Sequence, residues 1–207
     1  MMEKEIIENY WQNYSHDFAG DRRARLIYNL SERFIGDKTL DVGSGSGALI
    51  RLINGAVGID LVENEIVKKG DLLNLRFDSK EFNTVFATEV LEHLNPEDLS
   101  KALNEIKRVM KQKGYLIITV PYNEDLKKGS IVCPKCVYEF HLWQHLGSFN
   151  ENKIRQLIIG NGFKIVDMKV KLFSLYERGW KWRLLAPVIV RLHKEVSKTL
   201  FVVAQKV

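Results

Sequence analysis

Three glycines at alternate positions, Gly43, Gly45 and Gly47, follow Thr39-Leu40-Asp41-Val42, and Gly58-Ile59-Asp60-Leu61 comes soon after. A buried strand end running into closely spaced glycines can turn sharply and lay its backbone against a ligand, because no Cβ intervenes. A helix expected to start near Ala48 would aim its free N–H groups at whatever the loop holds. Asp60 closes the second expected strand, where a carboxylate can accept both hydroxyls of a ribose. The chemistry indicated is binding of a nucleoside-type cofactor. The spacing is G-x-G-x-G with Asp41 two places ahead, which differs from the G-x-G-x-x-G that seats a helix on a pyrophosphate. That difference weighs against a dinucleotide or nucleotide-sugar enzyme.

A second constellation lies at Cys133, Cys136, His141 and His145. Two thiolates and two imidazoles match the ligand set of a structural zinc knuckle, and H-x-x-x-H puts both rings on one helical face. Four protein ligands leave no open position, so such a zinc would staple its loop rather than do chemistry. Other readings stand beside this one. The cysteines suit a redox dithiol or a surface disulfide, the latter disfavoured in a cytoplasmic compartment. Phe140-His141-Leu142-Trp143 is an aromatic-rich run of the kind that lines a small-molecule pocket, and plain packing would also explain it. A third group, Glu89 and Glu92-His93, follows the fourth expected strand. His93 has the intrinsic pKa of a general base, or else Glu92 and His93 pin the loop ahead of Asn95.

The elements that must position these groups alternate between strand and helix. Strands are expected at 38–42, 56–60, 66–69, 82–87, 115–120, 163–170 and 199–205, and helices at 3–14, 21–34 and 95–111. In the last helix Asn95 is the N-cap, Pro96 takes N1, and Glu97 and Asp98 complement the dipole. Leu99, Leu103, Ile106 and Met110 form its apolar stripe, with Gly114 expected to close the far end. Alternation of this kind predicts an α/β domain, a parallel sheet covered on both faces.

In this order the segments resemble the class I (Rossmann-like) S-adenosylmethionine-dependent methyltransferases. The loop reads E/D-x-G-x-G-x-G and the acid ending strand two is Asp60. Gly70-Asp71-Leu72-Leu73, Phe82 to Ala87 with Glu89-Val90-Leu91-Glu92-His93-Leu94, Gly114 to Pro121 and Gly162 to Val166 follow. The resemblance runs from about residue 10 to the C-terminus. It implies a doubly wound seven-stranded sheet whose last strand is antiparallel and inserts beside the fifth. It also implies S-adenosyl-L-methionine as cofactor. Gly43, Gly45 and Gly47 would pass under its methionine part, with Asp41 supporting the loop or the amino group. Asp60 and Leu61 would take the ribose, Asp71 and Leu72 the adenine, and Glu89 would face the methyl group. His93 and His141 are the candidate catalytic residues. Asn83 stands where the family has Asp, which puts that residue's usual local role in question.

The acceptor is less legible. The Asn-Pro-Pro-Tyr segment of amino-group methyltransferases is absent, which favours an oxygen or carbon of a small or medium acceptor. A tRNA or protein acceptor, or a binding module with a decayed acceptor site, are the rival readings. Methyl transfer from a sulfonium is an in-line displacement that can be driven largely by alignment. Tyr10, Trp11, Tyr14, His16 and Phe18 suggest an N-terminal lid over the site, or simple packing.

The bulk properties set bounds. With 207 residues and 45% hydrophobic composition the chain supports one domain, 1–207. Within it, 1–36 reads as the helical lid, 122–149 as an insertion after strand five, and 172–197 as a basic helical insertion. No run approaches the roughly 20 apolar residues of a membrane span. The N-terminus opens on charges without an apolar signal core, so a cytoplasmic location is expected. The net charge is +5, but Phe163 to Val207 holds ten Lys/Arg against three Asp/Glu. This basic end suits a solvated face or an anionic partner. No RNA-binding signature accompanies it. Residues 176–195 mix Trp180 and Trp182 with Arg and Lys, a pattern compatible with peripheral membrane contact, an apolar acceptor, a dimer contact or a plain core helix.

Overall fold

The computed structural model describes residues 9, 10, 12, 20–173 and 198–207. Nine strands appear there: β1 Thr39–Val42, β2 Val57–Asp60, β3 Val67–Lys69, β4 Phe82–Thr88, β5 Met110–Pro121, β6 Ser130–Val132, β7 Glu139–His141, β8 Phe163–Lys171 and β9 Thr199–Lys206. Three α-helices lie wholly within the described residues: α1 Asp21–Ser31, α2 Pro96–Val109 and α3 Glu151–Gly160.

Seven strands form one sheet in the order β3-β2-β1-β4-β5-β9-β8, and β6 and β7 pair separately. β1 to β5 run parallel, while β9 is antiparallel to both neighbours and lies between β5 and β8. The expected seven-stranded, doubly wound α/β arrangement is therefore present, with its last strand inserted beside the fifth.

Burial on both faces explains why the central strands are apolar almost throughout. Leu40, Val42, Val85, Ala87, Leu116, Ile118 and Val202 pack on one side against Leu103 and Ile106 of α2 and Ile154 and Ile158 of α3. Phe86, Ile117, Phe201 and Val203 face the other way, against Ala24 and Ile27 of α1. Each Leu, Ile, Val or Phe among them contributes about 1.5–3 kcal/mol by leaving water.

Three local expectations need correction. No α-helix follows the glycine loop; turns and a three-residue 3-10 helix, Ile50–Leu52, stand there instead. Nine residues separate Gly47 from Val57, and Gly55 sits at φ +72°, so the chain turns back before a helix can propagate. α2 ends at Val109 rather than 111, because Met110 already pairs with Phe82. Gly114 accordingly does not close that helix. It lies inside β5 where a Cβ would stand 2.8 Å from the Asn83 carbonyl oxygen, a close approach that only glycine permits. The N-terminal half of α2 is as expected, with the Asn95 side chain accepting from Asp98 N–H.

α3 and the β6–β7 hairpin carried no expectation from the sequence. α1 covers 21–31 and passes into a 3-10 turn, Glu32–Phe34. The basic segment 176–195, the aromatic residues Trp11, Tyr14, His16 and Phe18, and most of the expected helix 3–14 lie outside the described residues. Among the described residues no helix is long and apolar enough to cross a membrane.

Candidate functional site

Strand order reverses between β1 and β4, so the crevice at their carboxyl ends is where an open α/β sheet binds its ligand. The glycine loop leaves β1 at this point. Gly43, Gly45 and Gly47 have φ of +72°, +50° and +74°, the left-handed region that side chains rarely adopt. The loop is tied down from beneath: Gly43 and Ser44 N–H donate to the Ile59 carbonyl at 2.9 and 3.0 Å. Asn64 Nδ2 donates to the Gly45 carbonyl at 3.0 Å. A Cβ on Gly45 would meet nothing within 4 Å, so this backbone borders open space.

Two carboxylates flank the loop. Asp60 Oδ2 accepts from Gly45 N–H at 2.8 Å and Oδ1 from Val62 N–H at 3.2 Å, which fixes the group at the rim of the crevice. Burial raises its pKa, opposed by those N–H donors. Asp41 is buried, and its Oδ1 has no hydrogen-bond partner. Burial pushes the Asp41 carboxyl up to about 7, with the Asp60 charge adding to the effect and Ser44 opposing it. An orphaned buried carboxylate oxygen beside an open glycine loop fits a ligand that brings a donor, as an amino group does.

Asp71 and Leu72 follow β3. The Asp71 Oδ1 accepts from Leu73 N–H at 2.9 Å, and Leu72 is 9% exposed at the edge of the core. Leu61 is half-buried next to Asp60. These residues fit the adenosine half of the expected cofactor. Asn83 lies at the opposite end of β4, where its Oδ1 accepts from Lys111 Nζ at 2.9 Å. Its departure from the family pattern therefore falls away from the crevice.

The segment after β4 is held in an unusual conformation. Glu89 has φ +54°, costly for a non-glycine residue and concentrated at functional sites. Its N–H donates to the Thr119 carbonyl at 2.8 Å, and its carboxylate pairs with Arg23 of α1 at 3.2 Å. Val90 packs on the glycine loop so closely that a Cβ on Gly43 would lie 2.2 Å from its Cγ2. The segment 89–93 thus borders the cofactor loop directly.

The insertion then folds over this segment. Leu146 and Gly147 N–H both donate to the Glu92 carbonyl, at 2.7 and 3.0 Å. Three imidazoles meet there: His141 and His145 stack with centroids 4.7 Å apart, and His93 meets His145 edge-on at 4.9 Å. His145 Nδ1 contacts a Glu124 carboxylate oxygen at 2.5 Å. A groove of about 380 Å³ opens beside them, bordered by Leu126, Tyr138, Phe140, His141 and His145. The Tyr10 hydroxyl donates to the Leu142 carbonyl, joining the N-terminal segment to the insertion.

Burial, and then the charge of His145, pushes His93 down to about 4. Its imidazole is neutral near pH 7 and poorly matched to general-base work there. Burial also lowers His141. Glu92 is fully buried and its pKa stands well above the usual carboxylate range, through burial first and the Glu89 charge second.

The expected Cys/His quartet does not assemble as a unit. His141 and His145 converge with Glu124, and His145 also with Glu92 and His93. Cys133 and Cys136 stand at the turn between β6 and β7, half-buried and exposed, with their thiols beside each other. The hairpin directs the cysteines outward and β7 carries His141 inward, so the two pairs part. Glu124 and Arg23 went unrecognised in the sequence. Glu124 had a signal, an acid three residues beyond the end of β5; Arg23 had none.

Comparison with known proteins agrees with this geometry. The chain matches the methyltransferase domain family over residues 40–118. It is 31% identical over 163 residues to an uncharacterized protein of Methanocaldococcus jannaschii, covering 72% of this chain and 66% of that one, just under two thirds of the relative's length. Among solved structures it resembles the Burkholderia thailandensis 1,6-didemethyltoxoflavin-N1-methyltransferase, with bound 1,6-didemethyltoxoflavin and S-adenosylhomocysteine. There the TM-score is 0.67 at 15% identity, over 98% of this chain and 88% of that one. An S-adenosylmethionine-dependent methyltransferase of Mesorhizobium loti gives 0.64 at 14% identity, over 90% and 99%. At such identities the structures speak for the fold, while the family match covers the glycine loop and strands β1 to β5. Over residues 40–118, under half of its length, the chain carries the methyltransferase domain, on a fold shared with S-adenosylmethionine-dependent methyltransferases.

Proposed function

We propose that this protein transfers a methyl group from S-adenosylmethionine to an oxygen or carbon of a small or medium acceptor. The observation that carries the reading is the glycine loop: three left-handed glycines at the sheet's switch point, open at Gly45, with Asp41 and Asp60 on either side. When bound, the cofactor supplies an electrophilic sulfonium methyl. Asp60 holds the ribose, Asp71 and Leu72 the adenine, and the Asp41 carboxylate receives the amino group. Glu89 and Val90 then border the methyl group, and the segment 122–149 forms the acceptor side.

The role of these residues is to align and to exclude water, which is where an in-line displacement gains most. Residues 1–36 act as the lid within a single domain, 1–207, and the Tyr10–Leu142 and Arg23–Glu89 contacts support that assignment. A structural neighbour solved with bound 1,6-didemethyltoxoflavin and S-adenosylhomocysteine favours a small-molecule acceptor here too. The oxygen or carbon preference rests on the sequence of the segment after β4, Glu89-Val90-Leu91-Glu92.

The test is incubation with cofactor labelled at the methyl carbon and fractionated small-molecule extract. S-adenosylhomocysteine should form only when an acceptor is present, and the labelled carbon should resonate as an O–CH3 or C–CH3. An N–CH3 product would contradict the acceptor atom. Absence of turnover with every fraction, by protein that binds the cofactor, would favour the decayed-acceptor reading.

A further inference from the structure

The three imidazoles and two carboxylates at the acceptor end form a cluster that the cofactor chemistry does not use. His145 is common to both halves: its ligand atoms lie within 4.8 Å of those of Glu92 and His93, and likewise of Glu124 and His141. Three buried atoms of the cluster lack a hydrogen-bond partner. Both oxygens of Glu92, at 0% exposure, lack a hydrogen bond, as does the buried Nε2 of His141. Glu124 is the nearest acid to that nitrogen, 3.8 Å away and beyond hydrogen-bond reach. A buried carboxylate with neither oxygen satisfied is rare, and a bound cation is one of its few explanations.

We propose that Glu92, His93 and His145 bind one divalent transition-metal ion, without either cysteine, and that Glu124 orients the His145 imidazole from behind through its contact with Nδ1. The donor set is mixed nitrogen and oxygen, which suits zinc or manganese over magnesium. Glu92 as a ligand and Glu124 behind His145 together balance the charge of a divalent ion. Three protein donors leave open positions, and the neighbouring groove along Tyr138, Phe140 and His145 gives an acceptor oxygen a route to them. Because Val90 touches Gly43, the ion would stand one residue segment away from the cofactor loop. The ion's role in presenting the acceptor rests on the methyltransferase reading; its binding does not.

The experiment uses full-length protein stripped with chelator, titrated calorimetrically with zinc, manganese and magnesium ions, and scanned for visible absorption with cobalt. One zinc or manganese ion should bind per chain, magnesium should bind far more weakly, and cobalt should show d–d bands without thiolate charge transfer. His145→Ala should weaken binding by about a hundredfold or more, and Glu92→Gln by about ten- to a hundredfold. A Cys133→Ser/Cys136→Ser double variant should bind as before. Circular dichroism checks the fold of each variant, with Glu124→Gln standing in if His145→Ala does not fold. No binding to folded protein would overturn the proposal, as would loss in the cysteine variant or retention in His145→Ala. S-adenosylhomocysteine titrated into the same stripped protein separates the two questions, since cofactor binding without metal binding removes the ion alone.

Discussion

Asp41 combines complete burial, an orphaned oxygen and a carboxyl pushed up to about 7. The folded chain therefore holds this proton more tightly than the unfolded chain, whose value is near 3.8. Between those two values the folded state carries the extra proton, so stability of the cofactor-free protein falls as pH rises from about 4 to about 7. The loss from this one group is at most a few kcal/mol. Asp41→Asn removes the titration. Thermal melts at pH 5 and pH 8 should show a smaller drop for Asp41→Asn than for wild type. Equal drops would mean that the carboxyl is ionised without cost. The same substitution should weaken cofactor binding, because the amide presents no charge to an amino group.

At the scale of elements, the glycine loop and the segment after β4 behave as one unit, since Val90 fills the space a Gly43 side chain would need. Gly43→Ala combines strain at φ +72° with a contact 2.2 Å from Val90 Cγ2. A loss of about 2–4 kcal/mol in urea denaturation is expected. Gly45→Ala has φ +50° but open space, so about 1–2 kcal/mol is expected from backbone strain alone. Both should reduce cofactor affinity. Equal stability losses would show that Val90 is free to move aside, which would uncouple loop and segment.

The whole molecule shows which kinds of information the sequence carries. The strands, the glycine loop and the acid at the end of β2 were readable because each rests on local chemistry: apolar runs, glycine spacing, a strand-end carboxylate. The helix near Ala48 failed because nothing in the composition of 48–54 reveals that the chain must turn back within nine residues. The zinc quartet failed for a different reason. Sequence proximity grouped Cys133 and Cys136 with His141 and His145, whereas the fold brings in His93 and Glu92 from the end of β4 and Glu124 from beyond β5. Such a convergence depends on strand order, and only the resemblance to a known family had supplied strand order.

The account turns on the cofactor, and calorimetric titration of the purified protein with S-adenosylmethionine and S-adenosylhomocysteine tests it most directly, with NAD and Asp60→Ala as controls. Micromolar binding of both, none of NAD, and loss in folded Asp60→Ala is the predicted result. Folded wild-type protein that binds neither compound, or binding unchanged in Asp60→Ala, would contradict it.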